Sequence, residues 1–150
     1  MNADGSNRTL IESGAWGAQW SPDGKKIAYR AYTSGKANLR IYDLIEDTRF
    51  DVFPEGESPY SVISWNMAWS PDSNWVCFLG RNAADKMYEV VTVNVAGVKE
   101  GYKVHYRSKV SSYQDMAWHP QGDMIVFGSD TKPRQLLKFN PAEDKAPEPL

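Results

Sequence analysis

Apolar and polar positions alternate with a period of two over short runs, and nowhere does the chain keep the 3.6-residue period of an amphipathic helix. The stretch "WGAQW" at 16–20 sets Trp16, Ala18 and Trp20 against the small Gly17, and its later copies carry Trp65, Met67, Trp69 and Gln114, Met116, Trp118. After each comes a short apolar run: "KKIAYRAY", "NWVCFLG" and "DMIVFGS". These runs have the β-branched and aromatic enrichment of strands and are too short for helices. Third strands are expected at "ANLRIYDL", "MYEVVTVNV" and "RQLLKFN", and fourth strands at "TRFDVFP" and "YKVHYRS".

The pattern repeats. Trp20, Trp69 and Trp118 stand at a constant interval of 49 residues, and their flanks align without gaps. Four strands per unit at a period in the 40s is the signature of β-propeller blades, so the expected fold is all-β, with about three four-stranded antiparallel blades in this chain. A single blade cannot bury its two faces alone, and neighbouring blades must stack to share a core. The small residues Gly17, Ala68 and Ala117 suit an inner strand where blades crowd toward the axis. Residues 14–58, 59–108 and 109–150 divide as successive blades. The segment 1–13, with "RTLIES", reads as the outer strand of a preceding blade, and the blade at 109–150 is expected to lack its outer strand. Roughly four to eight blades close a ring. The chain is therefore expected to be part of a six- or seven-bladed ring, or half of a ring that a second copy completes.

Each inner strand enters a turn of one type: "WSPDG", "WSPDS" and "WHPQG". Pro22, Pro71 and Pro120 set φ at the second turn position, Asp23 and Asp72 tolerate the third, and Gly24 and Gly122 relieve strain at the fourth. Trp20, Trp69 and Trp118 are expected to bury their rings between blades, each indole N–H finding a carbonyl. A motif present in every blade marks a scaffold position, whereas an active site would break the symmetry.

"WSPDGKKIAYRA" followed by "RIYDL", together with the opening "MNADGSNRT", resembles the TolB-like, WD40-like propeller repeat family. Similar repeats occur in the propeller domains of prolyl-oligopeptidase-type peptidases and in some polysaccharide lyases. The resemblance covers nearly the whole chain, is strongest in the first blade and departs at Ser73, His119 and Gln121. It implies a propeller that mediates protein–protein binding in the periplasm or another extracytoplasmic setting. The other role it implies is an accessory propeller of an exported peptidase or lyase.

Composition narrows the chemistry. A formal charge of −2 with both signs interspersed offers no basic face for nucleic acid, and no apolar run reaches the roughly 18 residues of a membrane span. Cys77, the only cysteine, reads as a small buried apolar residue. Of the two histidines, His119 occupies a turn-capping position and His105 a solvated strand position. No G-x-S-x-G elbow, metal-ligand spacing or phosphate loop is present, so no catalytic residue, metal or cofactor is assigned.

Binding remains. In a propeller the loops before each inner strand and between second and third strands share one end, and here they carry Trp16, Arg30, Tyr60, Trp65, Arg81, Tyr113 and Arg134, with Lys86 and Lys132. Aromatics and arginines at a rim match the composition of protein-binding hot spots. The expected partner is another protein or a peptide, or else a glycan. The longest of these loops is expected at 55–66 and holds Pro59 and Tyr60.

Overall fold

A computed structural model describes residues 4–110, 115–129 and 132–150. Three antiparallel four-stranded sheets follow one another along the chain. The first contains β1 (Trp16–Trp20), β2 (Lys26–Thr33), β3 (Lys36–Asp43) and β4 (Thr48–Asp51). The second contains β5 (Tyr60–Trp69), β6 (Trp75–Asn82), β7 (Tyr88–Asn94) and β8 (Tyr102–Ser108). The third contains β9 (Met116–Trp118), β10 (Ile125–Gly128), β11 (Leu136–Phe139) and β12 (Glu148–Pro149). Among the described residues the only helical turn is a 3-10 turn, Val98–Glu100. Most of these strands fall where the alternating pattern puts them.

Both faces of the middle sheet are buried, because successive residues of a strand point to opposite sides. Val76 and Phe78 join Leu39, Ile41, Val52 and Phe53 of the first blade in one core. Cys77 and Leu79 join Ile125, Phe127 and Phe139 of the third blade in a second core. Burial pushes the Cys77 thiol up, so it behaves as an apolar side chain. Crowding toward the axis shows at Gly17, whose φ is +67° and where a Cβ would lie 2.7 Å from Trp65 Cα. Only glycine fits that approach.

The repeated turn is a local hydrogen-bond device. Ser21 Oγ donates to Asp23 Oδ1 (2.6 Å) and accepts from the Lys26 amide (2.9 Å), while Gly24 N–H closes the turn on the Ser21 carbonyl at 2.9 Å. Ser70 repeats these bonds with Asp72 and the Trp75 amide. In the third copy His119 Nδ1 accepts from the Gln121 amide at 3.3 Å, so the histidine caps its turn. Ser73 takes the glycine position with φ +62° and also accepts from the Asp23 amide of the blade before it, at 3.1 Å. The substitution thus creates an inter-blade bond.

Four expectations are corrected. Residues 8–13 form no strand; instead Ile11 packs on Ile27, Tyr29 and Ala31, and Glu12 accepts from Tyr29 Oη (2.7 Å) and pairs with Arg40. The segment therefore lies across the outer face of the first sheet as an arm. The third sheet does not lack an outer strand, since Leu137 and Lys138 pair with Pro149 and Glu148. Proline is tolerated there because β12 is an edge. The loop expected at 55–66 ends at Pro59, and from Tyr60 onward the chain is strand β5, broken by register shifts between Tyr60 and Val62 and between Ile63 and Met67. Irregular pairing hides the strand from an alternation test.

The fourth correction concerns His105, which is not solvated. It stands between blades, its ring stacked on Phe139 (centroids 4.3 Å apart) and its Nε2 2.8 Å from Thr92 Oγ1. Burial, with Lys103 nearby, pushes its pKa down to about 4. The unfolded chain takes up this proton near pH 6.5, so between the two values the unfolded state binds more protons. Stability therefore falls as pH drops through that window. Urea unfolding should show a smaller acid-induced loss in His105→Gln than in the wild type; equal losses would place the sensitivity elsewhere.

Candidate binding rim

The inner strands and the loops between second and third strands converge at one end of the blades. β1 and β5 run side by side there, with Gly17 against the Trp65 backbone, and Trp16 and Trp65 are each 62% exposed. Arg30 pairs in register with Trp16, lies 5.5 Å from the centroid of Tyr32, and its Nη1 donates to the Ile63 carbonyl at 3.2 Å. Arg81 pairs in register with Val62 and lies 5.8 Å from the centroid of Tyr88. The Nε atoms of both arginines are enclosed and have no hydrogen-bond partner among the described residues. Trp16, Arg30, Trp65 and Arg81 thus follow the same strand, β5, along the rim.

The other expected residues separate from this group. Tyr60 is fully buried and turns inward: its Oη donates to Glu89 Oε2 at 2.9 Å and lies 2.6 Å from Tyr102 Oη. Its ring packs edge-on against Phe53 and Phe78. Burial together with the Tyr102 and Glu89 contacts raises its pKa far above the ordinary tyrosine value. It cannot contact a partner. Arg134 is exposed on the third blade, and Tyr113 lies outside the described residues.

Asp85, Met87, Tyr88, Lys109 and Val110, not foreseen from sequence, join Arg81 and Lys86 at the rim. A shallow groove of about 440 Å³ is lined by Arg81, Asp85, Lys86, Met87, Tyr88, Lys109 and Val110. Asp85 is already engaged: the Met87 amide (3.0 Å) and Arg107 Nη2 (2.5 Å) both donate to it and hold its carboxyl below the usual range. Arg107 also donates to Glu89 Oε1 at 3.0 Å, linking the rim to the buried Tyr60. The signal for Lys109 was its place just after β8, where the chain turns back toward the rim. At the opposite end, a cleft of about 390 Å³ between Trp75 and Trp118 is walled by Pro71, Pro141 and the repeated turn. Its one carboxylate, Asp72, accepts from Ser70 Oγ and from the Asn74 amide.

No protein-family model and no curated protein matches the sequence. Solved structures do match. The chain is similar to TolB from Acinetobacter baumannii, with a TM-score of 0.64 and 20% identity over 89% of this chain and 31% of that one. It is similar to the β-propeller domain of the Trilobed protease from Pyrococcus furiosus, with a TM-score of 0.61 and 15% identity over 89% and 41%. It is similar also to acylaminoacyl peptidase, with a TM-score of 0.66 and 20% identity over 99% and 27%. The chain spans less than half the length of each. These likenesses show the class of fold: successive blades of a β-propeller. In particular, the three blades have the TolB-like architecture. Among the described residues no helix is long and apolar enough to cross a membrane, which says nothing of β-barrels.

Proposed function

We propose that the chain is a non-catalytic, TolB-like interaction module that binds another protein through the rim carrying Trp16, Arg30, Trp65 and Arg81, in a periplasmic or otherwise extracytoplasmic setting. The observation that carries this reading is the pair of 62%-exposed tryptophans fixed on adjacent inner strands beside two arginines. Large aromatics in a rigid frame contribute contact area at low entropic cost, and Trp and Arg dominate binding energy where interfaces form. A Trp16→Ala/Trp65→Ala double variant should unfold at the wild-type urea concentration yet lose cross-linked partner proteins found by mass spectrometry. Undiminished cross-linking to the same partners would sink the reading.

A second reading is an accessory propeller of an exported peptidase or lyase that orients peptide or glycan. The likeness to propeller-bearing peptidases favours it. A hydrolase domain with a G-x-S-x-G elbow encoded contiguously with these blades would decide for it. A ring completed by a second copy of the chain is a third arrangement, and light scattering that shows a monomer would remove it.

A further inference from the structure

We infer that the groove beside Arg81 is a docking site for the carboxylates of an acidic peptide; this deepens the interaction-module reading and rests on it. Arg81 is half-buried, and among the described residues its Nε is enclosed without an acceptor while its guanidinium lies over the Tyr88 ring. A cation withdrawn from water ordinarily finds a carboxylate or carbonyl, because desolvation without pairing is costly. Two strands away Arg107 shows the ordinary arrangement, with Asp85 and Glu89 both on its guanidinium. Arg81 has no such acceptor among the described residues.

The surroundings say what would complete it. The groove collects three cationic side chains, Arg81, Lys86 and Lys109, against one carboxylate, Asp85, which Arg107 already holds. Its charge therefore calls for an anion. The same lining includes Met87, Tyr88 and Val110, apolar surface against which the methylene stem of a glutamate or aspartate can lie; inorganic phosphate has no such part. The two Nη groups of the guanidinium can donate two parallel hydrogen bonds to a carboxylate while Nε stays enclosed, a geometry a lysine cannot supply. Arg30 repeats the arrangement one blade earlier, with an enclosed, unpartnered Nε and a tyrosine ring beneath it. Both arginines flank the same stretch of β5, Arg81 through its pairing with Val62 and Arg30 through the Ile63 carbonyl. Two such points along one strand fit an extended segment with more than one acidic side chain.

The test is a titration of the protein with an acetylated, amidated Gly-Glu-Glu-Gly peptide, followed through the arginine Nε–H signals in NMR. The Arg81 signal should shift, and a Gly-Gln-Gln-Gly counterpart should bind about ten-fold more weakly, as expected for loss of a charge-assisted bond. Arg81→Gln should weaken the acidic peptide by a similar factor, and Arg81→Lys, which keeps charge but not the fork, by less. Unfolding of Arg81→Gln by urea should occur at or above the wild-type midpoint, since an unpaired, half-buried charge has been removed. Equal binding of the two peptides, or full binding by Arg81→Gln, would overturn the inference. So would displacement of the peptide by inorganic phosphate at equal concentration, which would mark a small-anion site. If the acidic peptide does not bind while the tryptophan double variant still loses its partners, the rim reading stands and this one fails. If the peptide binds while partner cross-linking is unchanged, the rim reading fails instead.

Discussion

Tyr60→Ala is expected to lower the unfolding free energy by about 3–5 kcal/mol, as large aromatic-to-alanine changes in a packed core do. Tyr60 is fully buried between the first and second blades, edge-on to both Phe53 and Phe78, and a cavity there would open the seam on which the blades stack. Its hydroxyl is also one of the donors that satisfy Glu89, a carboxylate only 3% exposed. Tyr60→Phe keeps the ring and removes that donor, so a loss of about 1–3 kcal/mol is expected for an acceptor left underpaired. Urea titration of the three proteins separates packing from hydrogen bonding. A Tyr60→Ala protein as stable as the wild type would return Tyr60 to the rim as a contact residue.

Trp69→Ala and Trp20→Ala should differ sharply although the two residues occupy the same place in the repeat. Trp69 is 8% exposed within the core shared by the first two blades, and its Nε1 donates to the Gln19 carbonyl of the preceding blade at 3.2 Å. Its replacement is expected to cost about 3–5 kcal/mol. Trp20 is 59% exposed, and its replacement should change stability by less than about 0.5 kcal/mol. Trp118 is intermediate: half-buried, its indole N–H folds back to the Gly122 carbonyl of its own turn at 3.1 Å. Chemical denaturation of the two variants side by side checks the contrast. Equal losses would mean that the tryptophan stabilises each turn locally instead of the seam between blades.

That contrast marks how far the sequence could be read. The turn geometry at Ser21 and Ser70 is made of bonds within six residues, and local chemistry of that range is visible as "SPDG" and "SPDS". Which tryptophan is buried depends on whether another blade lies beside it, and no residue of the repeat encodes that. Tyr60 was misplaced for a related reason. Two register shifts in β5 change which side chains point inward, and a one-residue slip sends a side chain to the opposite face. Trp16 and Arg30 pair across β1 and β2, and Arg81 stands near the end of β6, positions that the repeat pattern makes readable from sequence. The groove around Arg81 was not legible, since Tyr88 comes from β7 and Lys109 from just after β8.

By itself, then, the sequence determined most of the strands, the turn that ends each inner strand and the stacking of four-stranded blades, because period-two alternation and turn preferences act over a few residues. The tertiary structure alone decided which face of each strand meets another blade. It set His105 on Phe139, took Tyr60 into the core and, among the described residues, left Arg81 Nε without an acceptor at the rim. Those outcomes depend on desolvation and pairing between residues brought together only when the sheets stack, and interactions of that range leave no trace in local spacing.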